Sequence, residues 1–166
     1  MARWLDAVLN ALFDELIKDG EKVIDNAARS KEAHTREGNQ EDAYGSAVYY
    51  NGKIVRRSYY NKSPIASKPQ KAWKKHCIPE ASGREHLDRF FEQYRPKGKI
   101  ELVCINAIYT TNILEAGAQS GKGGPNLRAK YRIISQAMTD MEELQRKYKG
   151  ATLRYLRAIE TKKFKE

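Results

Sequence analysis

Helical periodicity toward both ends of the chain, with strand signals between them, makes this 166-residue sequence an α+β domain. Three observations carry that reading: an apolar stripe from Trp4 to Ile17, an Asn51-Gly52 pair between strand-like runs, and the apolar run Ile100–Ile105. At this length a core can form without disulfides or metals.

Trp4, Leu5, Val8, Leu9, Leu12, Phe13, Leu16 and Ile17 recur at three- and four-residue spacing, and Val23, Ile24 and Ala27 extend the stripe. They predict a helix from about Ala2 to Ala28, with Asp19-Gly20 as the place for a kink. Arg29 to Asn39 is polar and reads as a loop, with Asn39 capping a short turn over Gln40 to Tyr44. Val48-Tyr49-Tyr50 leads into Asn51-Gly52, and Lys53-Ile54-Val55-Arg56-Arg57 leads away. Both central residues of a type I′ turn need positive φ, which Asn and Gly tolerate best, so this is a hairpin.

Asn61 to Gly83 holds prolines, serines and lysines with few apolar anchors and reads as a long basic loop. Arg84 to Tyr94 places Leu87, Phe90, Phe91 and Tyr94 at helical spacing until Arg95-Pro96-Lys97-Gly98 stops it. Lys99 to Ile105 alternates too little for a half-exposed strand, which predicts a central strand covered on one side by the first helix. Ile108 to Ala116 has mixed spacing, and the Gly-rich Gly117–Asn126 precedes a helix predicted from Leu127 to Lys149, with Pro125 just ahead of it. Leu153, Leu156 and Ile159 then predict a short amphipathic C-terminal helix with a basic face. The domain is accordingly expected over 1–149, with the basic loop at 61–83 and a helical extension at 150–166.

The net charge is +10, and its distribution is uneven. No Asp or Glu falls between Asp42 and Glu80, whereas Lys53, Arg56, Arg57, Lys62, Lys68, Lys71, Lys74 and Lys75 all do. Tyr44, Tyr49, Tyr50, Tyr59, Tyr60 and Trp73 are threaded through the same region. Cations interleaved with aromatics are the composition of a surface that attracts a polyanion, and these eight cations are the candidate contacts with nucleic acid or an acidic partner. The plainer alternative makes the tyrosines sheet core and the lysines a solvated rim.

Signals for catalysis are weak. Gly117 to Gly123 fails as a phosphate-binding loop, because three residues separate Gly117 from Gly121 and Gly123 follows Lys122 where Ser or Thr is needed. Glu160-Thr161-Lys162 has the ExK spacing of metal-dependent nucleases but falls in the predicted terminal helix. His34, His76 and His86 lack ligand spacing and read as surface residues; Cys77 and Cys104 form no CxxC and read as free thiols, Cys104 buried. A non-enzyme with no cofactor and no metal is expected. Asp6, Asp14 and Glu15 interrupt the N-terminal apolar positions, and no run reaches membrane-spanning length, so no membrane partner and a cytosolic site of synthesis are expected.

Two segments carry a resemblance. Arg36-Glu37-Gly38-Asn39-Gln40-Glu41-Asp42-Ala43-Tyr44-Gly45 resembles a motif of the form R/D-T-G-x-L-x-x-S, and Ala107-Ile108-Tyr109-Thr110-Thr111-Asn112-Ile113-Leu114-Glu115 resembles Y-A-x-x-V-E. Together with the order of elements, they resemble the tail-completion or head–tail joining (neck) proteins of tailed bacteriophages. Glu37, Gln40, Ala43 and Thr110 depart from the usual residues, and neither 61–83 nor the tail beyond Gly150 has a counterpart. The resemblance implies a small antiparallel sheet packed on the long N-terminal helix. It also implies a homo-oligomeric ring in the virion, assembled in the host cytoplasm between portal-side connector and tail proteins, with non-specific contact to the DNA it surrounds. Such a subunit is expected to associate weakly until assembly. The alternative is a small basic nucleic-acid-binding module in which Arg56, Arg57, Lys71, Lys74 and Lys75 hold phosphates while Tyr49, Tyr59 or Trp73 stacks on bases.

Overall fold

The computed structural model describes residues 2–29, 39–62, 82–107 and 133–156. Within them the chain runs α1 (Ala2–Arg29), α2 (Asn39–Asp42), β1 (Tyr44–Tyr50), β2 (Lys53–Tyr59), α3 (Gly83–Gln93), β3 (Ile100–Asn106), α4 (Ile133–Lys147) and β4 (Thr152–Leu156). The four strands form one sheet in the order β2-β1-β3-β4. This is the α+β fold that the periodicities predict.

The sheet is mixed, not purely antiparallel. β1 pairs antiparallel with both β2 and β3, but β4 joins β3 in parallel, with Glu101 opposite Thr152 and Ile105 opposite Leu156. A parallel neighbour requires a crossover, and α4 lies on that crossover. The helix expected from Leu153 onward is therefore corrected over Thr152–Leu156, and residues 150–156 belong to the sheet domain. Leu153 and Leu156 fit a helical spacing, but Leu153 and Tyr155 also alternate onto one sheet face, and the open edge of β3 offers a strand its hydrogen-bond partners. That offer is non-local, and the spacing within the segment alone does not decide between the two.

Alternation along β1 and β3 separates two cores. Tyr44, Val48, Leu102, Cys104 and Leu153 face α1 and α4, where they meet Phe13, Leu16, Val23, Ile24, Ala27, Ala137 and Met141. Ala47, Tyr49, Val103 and Ile105 face α3, where Leu87, Phe90, Phe91 and Tyr94 cover them. The result is three layers, with β1 and β3 buried on both sides, which explains why the β3 sequence hardly alternates.

The N-terminal helix is continuous through Asp19-Gly20, where a kink was expected. Gly20 serves close packing: a Cβ there would lie 2.9 Å from Leu102 Cδ1 and 3.2 Å from Ser46 Cβ. On the opposite face Gly45 does the same for α3, since its Cβ would lie 2.8 Å from Leu87 Cδ2 and 2.9 Å from the Ser58 carbonyl oxygen. The hairpin turns at Asn51 (φ 49°) and Gly52 (φ 81°), the two positive angles of a type I′ connection. Just beyond it the register shifts between Val48 and Tyr49, which pair with Arg56 and Ile54 and leave Val55 as the extra residue of a bulge. The bulge decides which face each later β2 side chain reaches. Helix α3 begins in a capping box: Ser82 Oγ accepts from the Glu85 backbone N–H (3.3 Å), and the Ser82 N–H donates to Glu85 Oε2 (2.6 Å).

Because the Ser58 carbonyl cannot rotate away from Gly45, Gly45→Ala is expected to destabilise the domain by about 1–3 kcal/mol. Gly150→Ala, with nothing within 4 Å, should stay within about 0.5 kcal/mol of wild type. Urea unfolding of the two variants checks both.

Candidate interaction surface

Of the basic residues singled out in the sequence, the four that are described, Lys53, Arg56, Arg57 and Lys62, do not converge. Lys53 is exposed at the start of β2. Arg56 turns to the α1 face, where Nε meets Asp14 Oδ1 at 2.6 Å and Nη2 donates to Asn10 Oδ1 at 3.1 Å. Arg57 turns to the α3 face, where Nη1 donates to Tyr59 OH at 3.1 Å, lies 3.4 Å from Asp88 Oδ1, and the guanidinium sits 5.4 Å from the Phe91 ring centre. Adjacent strand residues point to opposite faces, so neighbours in sequence make no common patch here. Lys62 is exposed at a polar cleft of about 110 Å³ that Glu21, Asp25, Ser46 and Ser58 also line. Lys68, Lys71, Lys74 and Lys75 lie outside the described residues, as do Trp73, Cys77, His34, His76, the Gly-rich segment and Glu160-Thr161-Lys162.

The described tyrosines belong to the body of the domain. Tyr44 and Tyr49 are fully buried, and Tyr49 OH donates to the Phe91 carbonyl at 2.9 Å. Tyr50 packs on Phe13 with ring centres 5.3 Å apart. Tyr59 donates to Asp88 Oδ1 at 2.5 Å, and the Arg84 guanidinium stacks 3.8 Å from its ring centre. For these residues the plainer alternative, tyrosines as sheet core, describes the arrangement.

Two buried carboxylates organise the packing, and the sequence marked neither as a candidate site. Glu101, 0% exposed, accepts from Tyr94 OH and from the backbone N–H groups of Lys97 and Gly98, both at 3.0 Å, while Arg154 Nε stands 3.5 Å away. It ties the end of α3, the turn into β3 and strand β4 to one point. Asp19 accepts from Tyr148 OH (2.7 Å), Lys147 Nζ (2.9 Å) and Lys22 Nζ (3.0 Å), and Lys147 also reaches Glu15 at 2.7 Å. Burial alone would raise the Asp19 pKa, but these donors outweigh it and hold the carboxyl at about 2. His86, expected at the surface, is buried, because it lies four residues before Phe90 on the inner face of α3.

Both carboxylates are enclosed by donors, which suits positioning better than acid–base exchange with a substrate. Among the described residues no three His, Cys, Asp or Glu side chains are grouped to hold a metal ion. The Cys104 thiol is buried, and burial pushes its pKa up, away from the reactive thiolate.

Among the described residues two apolar features stand at the surface. On the first turns of α1, Trp4, Leu5 and Val8 are 69%, 53% and 44% exposed, although the same helix stripe is buried from Phe13 onward. Between α4 and β4 lies a groove of about 330 Å³, lined by Met138, Met141, Gln145, Leu153, Tyr155 and Leu156 together with Glu142 and Arg154. No described helix is long and apolar enough to cross a membrane.

The Asp19 network has a definite pH signature. Its folded pKa lies below the unfolded value near 4, so its stabilisation is present above pH ~4 and is lost as pH falls toward 2. Asp19→Asn should cost on the order of 2 kcal/mol at pH 7, and the gap to wild type should shrink to roughly half by pH 3; denaturant titrations at the two pH values measure it. No protein-family model, no curated protein and no solved structure matches this chain.

Proposed function

We propose that this chain is a structural subunit of a tailed-phage virion, forming a homo-oligomeric ring at the neck or head–tail junction around the DNA channel. Its neighbours would be portal-side connector and tail proteins, with assembly in the host cytoplasm. The observation that carries the reading is the apolar stripe of α1 that runs out of its own core at Trp4, Leu5 and Val8. Exposed large apolar side chains gathered on one helix end are what a subunit presents to a neighbour. The two motif-like segments at Arg36–Gly45 and Ala107–Glu115 and the α+β order of elements support the same reading.

A nucleic-acid-binding module is favoured less. Arg56 and Arg57 face opposite sides of the sheet and each already has a carboxylate partner, which leaves little of either guanidinium for a phosphate. A ring can still tolerate DNA in its lumen through many weak, sequence-independent contacts.

Size-exclusion chromatography with mass determination, at low and high salt and with or without a short duplex, separates the two. The subunit reading expects concentration-dependent oligomers that ignore the duplex, with rings visible by electron microscopy of concentrated protein. A monomer that shifts with the duplex and releases it steeply as salt rises would overturn it. In the same assay Arg56→Ala should leave the elution of duplex unchanged, and it should cost less than ~1 kcal/mol in stability, as a half-exposed ion pair does.

A further inference from the structure

The polar cleft between α1 and the β1–β2 hairpin holds a group that the fold leaves unanswered. Ser46 lines it, is 1% exposed, and its Oγ has no hydrogen-bond partner among the described residues. A buried hydroxyl without a partner costs free energy, and a bound molecule that supplies one recovers it. We infer that this cleft binds a primary ammonium group on a short alkyl stem. The site does not depend on the subunit reading.

The lining is a set of acceptors. Ser58 stands opposite Ser46 on the neighbouring strand, and its Oγ donates its one proton to Glu21 Oε1 at 2.5 Å, so toward anything else it can only accept. Glu21 and Asp25 stand one turn apart on α1, both half-buried, and like charges at that spacing repel. The Arg29 guanidinium reaches Asp25 Oδ2 only at 4.0 Å, and among the described residues no ion pair reaches Glu21. Lys62 is exposed at the cleft and likewise forms no ion pair among them. An ammonium brings three donors and no acceptor, which answers the Ser46 and Ser58 hydroxyls and relieves the carboxylate pair together.

Size and shape narrow the ligand. At about 110 Å³ the cleft is smaller than the ~150 Å³ cavity that accommodates a benzene, so it suits a head group with a few methylenes. Ile24 and the Tyr59 and Tyr60 side chains, which also line it, give that stem an apolar wall. A guanidinium is a poorer match, because the Ser58 proton already occupies one Glu21 oxygen and denies the planar fork its two parallel bonds. The chain carries a net charge of +10, which repels small cations in general, so retention of one reports a local site.

The experiment titrates the full chain with n-butylammonium chloride at constant ionic strength, followed by ligand-observed NMR. Wild type should bind saturably. Glu21→Gln should bind at least ~10-fold more weakly, and Asp25→Asn, which removes the other carboxylate without touching the Ser58 bond, should also weaken binding. Ser46→Ala should weaken it ~3–10-fold, while its ligand-free melting temperature stays at or above that of wild type, since the hydroxyl it removes has no partner. Asp6→Asn, an exposed carboxylate at the other end of α1, should bind as wild type does. Tetramethylammonium, a cation of similar size with no N–H, should bind at least ~10-fold more weakly than butylammonium. No saturable binding, equal binding by wild type, Glu21→Gln and Asp25→Asn, or tighter binding of methylguanidinium than of methylammonium would overturn the inference. Sedimentation velocity with and without the amine then separates the two sources of such a head group. Self-association weakened by the amine assigns the cleft to a lysine of another copy, and unchanged self-association assigns it to a free amine.

Discussion

Strands β1 and β3 are covered on both faces, and much of the architecture follows from that single constraint. A strand pair with two apolar faces needs two helical layers, which α1 with α4 and α3 provide. The layers can close only where the backbone approaches without a side chain in the way, hence Gly20 against Leu102 on one face and Gly45 against Leu87 on the other. Tight contact on both sides makes a buried charge without partners costly. The buried carboxylates Glu101 and Asp19 accordingly sit where layers meet and are surrounded by donors.

Those carboxylates act more as alignment than as adhesive. A buried ion pair gains little net free energy over a well-packed apolar alternative, but a wrong arrangement leaves its charges stranded. Glu101 is satisfied only when the turn after α3 and strand β4 are both in place, and Asp19 only when α4 lies along α1. Each therefore penalises one particular misassembly of the layers.

Local signals in the sequence were read well where they were strong. The stripe of α1, the Asn51-Gly52 turn, the helix α3 and the non-alternating β3 all appear where periodicity and turn chemistry put them, whereas the Ser82 cap of α3 did not enter the expectation. Non-local events were illegible. Spacing within Thr152–Leu156 fits helix and strand alike, and the open edge of β3 decides for the strand. Arg56 and Arg57 look like a basic pair until the strand sends them to opposite faces, and the bulge at Val55 that sets which goes where has no residue signature of its own. His86 was open to prediction, since its spacing from Phe90 places it on the inner face; its polarity concealed that.

Strand β4 also has a protective role. It is joined to the sheet edge across a long intervening chain, so closing that loop costs more entropy than closing the hairpin, and it is a natural first site of local opening. What lies beneath it is the edge of Ile100–Asn106, among the most apolar segments of the chain and one that holds no proline. A bare edge of that composition is a template for cross-β pairing with other chains. The five residues of β4, with Arg154 drawn in over Glu101, stand between an ordinary fluctuation of this domain and its aggregation.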